Sequence, residues 1–212
     1  VGLHLHPMRH LVEYCGLAFQ ATPALAETDE TCTQAHCGYS VSLEYAYSQT
    51  ALTQMLACAS ELMVTHGFNR PRHFRAGAWQ MGPKLQAALE ANHYTWDSSI
   101  IDASLLMPRW PADSTMVRLL RQLHPHGTPL AQPLALGPQL MEFPDNAALA
   151  DYTTTQQLLQ LFAQLIAADK AVMVLGFHQE TAADYLLRLE QAIPKMETLA
   201  RQKGVRILWM PQ

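Results

Sequence analysis

An α/β fold, with a parallel sheet covered by helices on its faces, is what this sequence predicts. Three observations lead there. Short apolar runs of strand length alternate with longer stretches whose apolar residues recur at helical spacing. The runs are near-continuously apolar, as in strands buried on both faces of a parallel sheet. Polar residues able to carry chemistry collect at the carboxyl ends of the runs, where such sheets gather their ligands.

The elements follow in order. Residues 1–7 (VGLHLHP) read as a strand entering a turn marked by Pro7. After a polar loop, residues 42–67 carry apolar side chains at helical spacing and stop at Gly67. Residues 73–79 (HFRAGAW) have strand length, and 82–93 (GPKLQAALEANH) form a helix with Pro83 in its first turn, where no N–H is needed. Residues 94–100 (YTWDSSI) are the next strand. A proline-rich stretch, 108–144, is mostly loop, with a helix over 114–124 and the segment QLMEFP at its end. A helix across 153–169 leads to an apolar strand, 171–177 (AVMVLGF). The last helix, 181–204, contains Pro194, which predicts a kink or a break. Residues 205–210 (VRILWM) close as a final strand. No repeat and no Gly/Ser linker divides the chain, so residues 1–212 read as a single domain.

Composition excludes several classes. Hydrophobic residues make up 49% and charged residues only 15%, which suits a buried core and not a disordered tail. The net charge of -4 and the lack of any Lys/Arg cluster exclude nucleic acid and anionic membrane surfaces as partners. The longest apolar runs fall far short of the roughly 20 residues that span a bilayer. No secretion signal is visible. The four cysteines, Cys15, Cys32, Cys37 and Cys58, are unevenly spaced. They read as free thiols in a reducing compartment, so a cytoplasmic location is expected. Cys32, His36 and Cys37 raise a zinc site as the other reading. However, C-x4-C has no second half here, and adjacent His36 and Cys37 fit one ion poorly.

Five strand ends carry the candidate chemistry. His4 and His6 alternate on a strand, so both imidazoles point to one face and suit a divalent metal of the zinc type. The bland alternative is a pair of hydrogen-bonded strand histidines. His10 adds an H-x3-H option with His6 if that segment is helical. Arg75 sits among small residues, Ala76 and Gly77, that permit close approach to the backbone; it reads as orienting a carboxylate or as a strand-end salt bridge. Asp97 ends the next strand, where it would hold a histidine in one tautomer or begin a turn. His178 follows an apolar strand core, a position suited to a proton donor. Glu142 ends QLMEFP. Trp79 and Trp110 offer aromatic faces to a ligand or pack in the core.

These motifs resemble the polysaccharide deacetylase family (carbohydrate esterase family 4, the NodB-homology group), in the branch whose histidine motif reads H-L-H-P. GLHLHP resembles the metal-binding motif, RPRHFRAGAW the arginine motif, LEANHYTWDSSI the following strand and VLGFHQE the terminal histidine motif. GYSVSL resembles the segment that the branch carries before its long helix. The resemblance implies an incomplete (β/α)7 barrel binding one divalent metal, most often Zn2+, and hydrolysis of an N-acetyl or O-acetyl group on a carbohydrate. Carried over, His4 and His6 would ligate the metal, and Arg75 would orient the general-base aspartate. His178 would protonate the leaving amine, with Asp97 tuning it; Trp79 and Glu142 are candidate substrate contacts. The family's acidic motif precedes its histidine motif, so here the barrel is expected to lack its first strand, with a metal-ligating aspartate upstream of Val1. Without that segment, weak metal binding and little hydrolysis are expected. Two other readings stay open: an inactive barrel that binds carbohydrate or a protein partner, and a different metal-assisted amide hydrolase acting on a small molecule.

Overall fold

The computed structural model describes residues 1–25, 37–107 and 109–210. Five short strands form one sheet: β1 (Leu3–Leu5), β2 (His73–Ala76), β3 (Trp96–Asp97), β4 (Leu134–Ala135) and β5 (Met141–Glu142), in the order β1-β2-β3-β5-β4. β1, β2, β3 and β5 run parallel, and β4 joins β5 antiparallel. Seven α-helices are described: α1 (Arg9–Tyr14), α2 (Leu43–Ala46), α3 (Gln49–Thr65), α4 (Pro83–Ala91), α5 (Thr115–Leu123), α6 (Thr155–Ala167) and α7 (Ala182–Gln202). The α/β alternation is as expected, but the described strands make an open sheet and no ladder closes a barrel.

The expected strands at 171–177 and 205–210 do not form. A strand needs a neighbouring backbone, and along 171–174 side-chain amides take that place. Gln132 Oε1 accepts from the N–H groups of Ala171 and Val172, and Asn146 Oδ1 accepts from Val174 N–H. The Nε2 and Nδ2 groups of the same two residues donate to Val172 O. A single bridge, Leu149 to Gly176, is all the ladder that remains. Residues 205–210 join no strand, and Leu208, Trp209 and Met210 are more than half exposed (69%, 55% and 68%), so burial does not hold them to a sheet edge.

The helices follow their capping chemistry. The stretch 42–67 splits in two because Ser42 and Ser48 each cap a helix, accepting from Tyr45 N–H and Ala51 N–H. α4 begins with Gly82-Pro83 and has no cap of its own; the buried carboxylate of Glu44 accepts from Lys84 and Leu85 N–H instead. A Cβ at position 82 would lie 2.5 Å from Glu44 Cδ, so this trans cap requires glycine there. α7 runs unbroken through Pro194. The helix loses one hydrogen bond to the proline, offset by burial of Leu189, Ala192 and Met196 in a core shared with α6 residues Leu158 and Leu161.

The register sorts side chains onto two faces. Leu3 pairs with Phe74, Phe74 with Asp97 and Asp97 with Glu142, so these four share one face, and His4 pairs with Arg75 on the other. Leu5, Phe74 and Ala76 pack under α3 and α4 in the main core with Leu52, Met55 and Leu85. His4, His6 and Arg75 line a cavity of about 1690 Å³ on the opposite side.

The cysteines are not free thiols. Cys15, at the end of α1, is bridged to Cys58 in the middle of α3, and Cys37 is disulfide-bonded as well. A thiol consumed in a disulfide is no thiolate ligand, which removes Cys37 from the zinc reading; Cys32 and His36 lie outside the described residues.

Candidate active site

β1 delivers His4 and His6 to the cavity as its alternation requires. His4 Nδ1 bonds to Arg75 O at 3.1 Å and His6 Nδ1 to Tyr39 O at 2.6 Å. A carbonyl can only accept, so both Nδ1 atoms carry the proton and both Nε2 atoms keep a free lone pair. The rings stand edge to face with centroids 4.9 Å apart, and Tyr39 stacks on His6 at 4.1 Å. Loss of solvent lowers the His4 pKa, Arg75 and His178 adding to the effect and the hydrogen bond to Arg75 O opposing it. Burial, then the charge of His4, lowers His6 to about 4, against the bond to Tyr39. Both imidazoles are therefore neutral near pH 7, the form that ligates a metal. His10 is exposed on α1 and is not part of this pair.

Gly77 makes room for His6. A Cβ there would lie 2.5 Å from His6 Nδ1 and 2.7 Å from Leu5 O. The close approach expected of the Ala76-Gly77 pair is thus realised, and what approaches is the histidine. Gly77→Ala is expected to destabilise the fold by about 1–3 kcal/mol in urea unfolding and to weaken zinc binding. A variant with unchanged unfolding midpoint and zinc titration would show that His6 relaxes freely.

Arg75 holds the carboxylate of Asp145. Arg75 Nη1 donates to Asp145 Oδ2 at 2.6 Å, and Nη2 to Ser98 Oγ at 2.7 Å. Trp79 donates its indole N–H to the same Asp145 oxygen at 2.8 Å. Two consecutive residues with positive φ, Ala78 and Trp79 (50° and 55°), turn the chain after β2 so that the indole comes back toward Asp145. Trp79 is only 4% exposed and packs edge-on against Tyr152, so it braces Asp145 and offers no open face for a sugar.

Asp97 does not hold His178. Its register places it on the helix-facing side of the sheet with Glu142, one residue out of phase with Arg75 and Ser98. Both carboxyls are fully buried beside each other, and Glu142 Oε2 meets no hydrogen-bond donor there. Ser99 donates its N–H to both and its hydroxyl to Asp97, and Ile100 N–H donates to Glu142. Burial, with Asp97 beside it, pushes Glu142 up to about 10, and burial raises Asp97 too. The two therefore share a proton at neutral pH. Glu142 is no substrate contact, because no solvent reaches it.

The folded state binds this proton more tightly than the unfolded chain does. Its contribution to stability is full below the ordinary glutamate range and is lost as pH rises toward about 10. Glu142→Gln keeps the shape and can donate to Asp97. It is expected to flatten the decline in unfolding free energy between pH 5 and 9 and to stabilise by about 1–3 kcal/mol at pH 8. A wild-type protein with no such decline would refute the shared proton.

The carboxylate at His178 is Asp151. His178 Nδ1 donates to Asp151 Oδ2 at 3.1 Å and its backbone N–H to Oδ1 at 3.3 Å, while Thr181 Oγ1 donates to Oδ2. Burial pushes the Asp151 carboxyl up, but the hydrogen bonds from Thr181 and His178 outweigh it and leave its pKa lowered. The ionised Asp151 thus fixes the tautomer of His178 and leaves Nε2 for a substrate. His178 lines the same cavity as His4, His6 and Arg75, and its charge bears on both other histidines, as does that of Glu180. One cavity therefore joins two imidazoles with open Nε2 atoms, an Arg–Asp pair and a His–Asp pair.

No family model matches this sequence, and no curated protein matches it. One solved structure is similar. It is the crystal structure of a "putative polysaccharide deacetylase" from Mycobacterium smegmatis, at a TM-score of 0.40 and 15% identity, over 80% of this chain and 63% of that one. A likeness of that size decides nothing about chemistry, which has to be read from the side chains.

Asp151 carries no signal in the sequence, because it follows no strand and sits in an Ala-rich loop. Asp145 also comes from a loop, and Tyr39 acts through its carbonyl, which carries no residue-type signal. Among the described residues no three His, Cys, Asp or Glu side chains converge as a metal site. The two histidines fit a metal in tautomer and charge state, and supply part of a ligand set.

Proposed function

We propose that this chain carries the catalytic site of a metal-dependent hydrolase that removes N-acetyl or O-acetyl groups from a polysaccharide or amino-sugar precursor. The observation that carries the reading is the shared cavity, with His4 and His6 locked to backbone carbonyls through Nδ1 and the His178–Asp151 pair facing the same space. His4 and His6 would hold one divalent ion, Zn2+ by ligand type, which when bound polarises an acetyl carbonyl and lowers the pKa of its water. His178, held through Nδ1 by Asp151, takes a proton from the attacking water on Nε2 and, as an imidazolium stabilised by Asp151, returns it to the departing amine or alcohol. Arg75, fixed by Asp145 and Ser98, keeps a positive charge beside His4 for the developing oxyanion.

The test is acetate release from N-acetylated and O-acetylated sugars, and from small acyl amides, by protein loaded with Zn2+ and by protein treated with chelator. Zinc-dependent release from the sugars is expected. Release from the small amides alone would move the substrate class, and no release with no retained zinc would end the hydrolase reading. The last outcome would support the second reading, a barrel-like protein that binds carbohydrate or a protein partner. That reading draws on the absence of a third ligand among the described residues.

As for location, the Cys15–Cys58 bridge supports an oxidising compartment in place of the cytoplasm, which was expected on the strength of free thiols. No helix among the described residues is long and apolar enough to cross a membrane.

A further inference from the structure

Behind the His178–Asp151 pair lies a cation that the proposed chemistry does not use. Arg188, on α7, sends Nη1 to the carbonyl oxygens of Ala150 at 2.7 Å, Thr153 at 3.2 Å and Asp151 at 3.4 Å. Its guanidinium lies over the ring of Tyr185, 4.5 Å from the centroid, and its own carbonyl accepts from Thr155 Oγ1 on α6 at 3.2 Å. The clamped residues are the loop that carries Asp151, between Ala148 with φ 55° and the capping residue Thr154 of α6. Ala150 N–H also bonds Gly176 O at 2.8 Å, which ties this loop to the segment leading into His178.

Three carbonyls turned toward one point repel each other, and the Nη1 group of a side chain that is always charged gathers them. The loop is a turn in which Tyr152 and Thr153 N–H donate to Leu149 O, and no helix or strand runs through Asp151 itself. We propose that Arg188 is a positioning residue: by gathering the carbonyls of Ala150, Asp151 and Thr153 it sets where the Asp151 carboxylate stands, and so the direction in which His178 presents Nε2 to the cavity. The kinetic consequence rests on the hydrolase reading above, whereas the structural consequence does not.

The test therefore has two arms. The first is the Nδ1–H proton resonance of His178, shifted downfield by the bond to Asp151 and assigned by its disappearance in His178→Ala. In Arg188→Met this resonance is expected to vanish or exchange rapidly with water. The second is kinetic: kcat on an acetylated sugar is expected to fall about 100-fold with KM changed less than about twofold, because a displaced proton donor lowers turnover more than binding. Arg188→Lys retains the charge but not the planar group that lies over Tyr185, and is expected to recover only about a tenth of the lost kcat. It carries the test if the Met variant fails to fold. Arg201→Met, nearer the end of the same helix where Arg201 reaches Thr198, is expected to change neither readout. A folded Arg188 variant with the wild-type resonance and kcat would overturn the proposal. If wild-type protein deacetylates nothing, the hydrolase reading falls while the resonance still decides the role of Arg188.

Discussion

His178→Ala is expected to lower acetate release by about 100- to 10,000-fold, with zinc binding and the unfolding midpoint near wild type. The side chain is partly exposed and its only polar partner described is Asp151, so its loss leaves the core intact. Asp151→Asn should cost less stability than Asp151→Ala but much of the same activity. The amide has the right size, yet with Thr181 and the His178 N–H also directed at it, it holds the imidazole less firmly and adds no negative charge to stabilise an imidazolium. The two effects should not add, since both variants disable one acid–base unit. Asp97→Asn, by contrast, should act on stability and pH dependence and leave the His178 step alone. Wild-type turnover in His178→Ala would remove the acid–base role, whatever the metal does.

Removing the Cys15–Cys58 bridge is expected to cost about 4 kcal/mol, from the loop entropy restored to the unfolded chain by opening a closure of 43 residues. For a chain of 212 residues this corresponds to a fall in Tm of roughly 8–16 °C. The position matters as much as the magnitude. α1 directly follows the histidine motif, and its end is held to α3 by the disulfide and by Gln54 Nε2 donating to Cys15 O at 2.8 Å. The paired variant Cys15→Ala/Cys58→Ala should therefore loosen His4 and His6 as well as lower Tm. Thermal melts and zinc titrations of that variant check both, and unchanged values would show that core packing alone holds α1.

Much of the site was legible because alternation on a strand is a local property. His4 and His6 share a face whatever surrounds β1, and Gly77 next to Arg75 announced a close approach that the structure places at His6. The choice of carboxylates was not legible in the same way. In the segment WDSSI, either Asp97 or Ser98 can face the cavity, and a shift of one residue exchanges them. The ladder pairs Phe74 with Asp97, so Ser98 reaches Arg75 and Asp97 turns into the core to share a proton with Glu142. Asp145 and Asp151 come from loops, which show no periodicity to read.

The sequence by itself determined the first three strands in order, around Leu3–Leu5, His73–Ala76 and Trp96–Asp97, the helix start at Pro83, and the shared face of the two histidines. Each of these follows from spacing, capping or backbone chemistry within a few residues. Only the tertiary structure decided the pairings: Asp151 with His178, Asp145 with Arg75, Asp97 with Glu142, Cys15 with Cys58, and the amides of Gln132 and Asn146 in place of a ladder along 171–174. Partners separated by tens of residues are chosen by register and loop path, and several partners of the right chemical type competed for each.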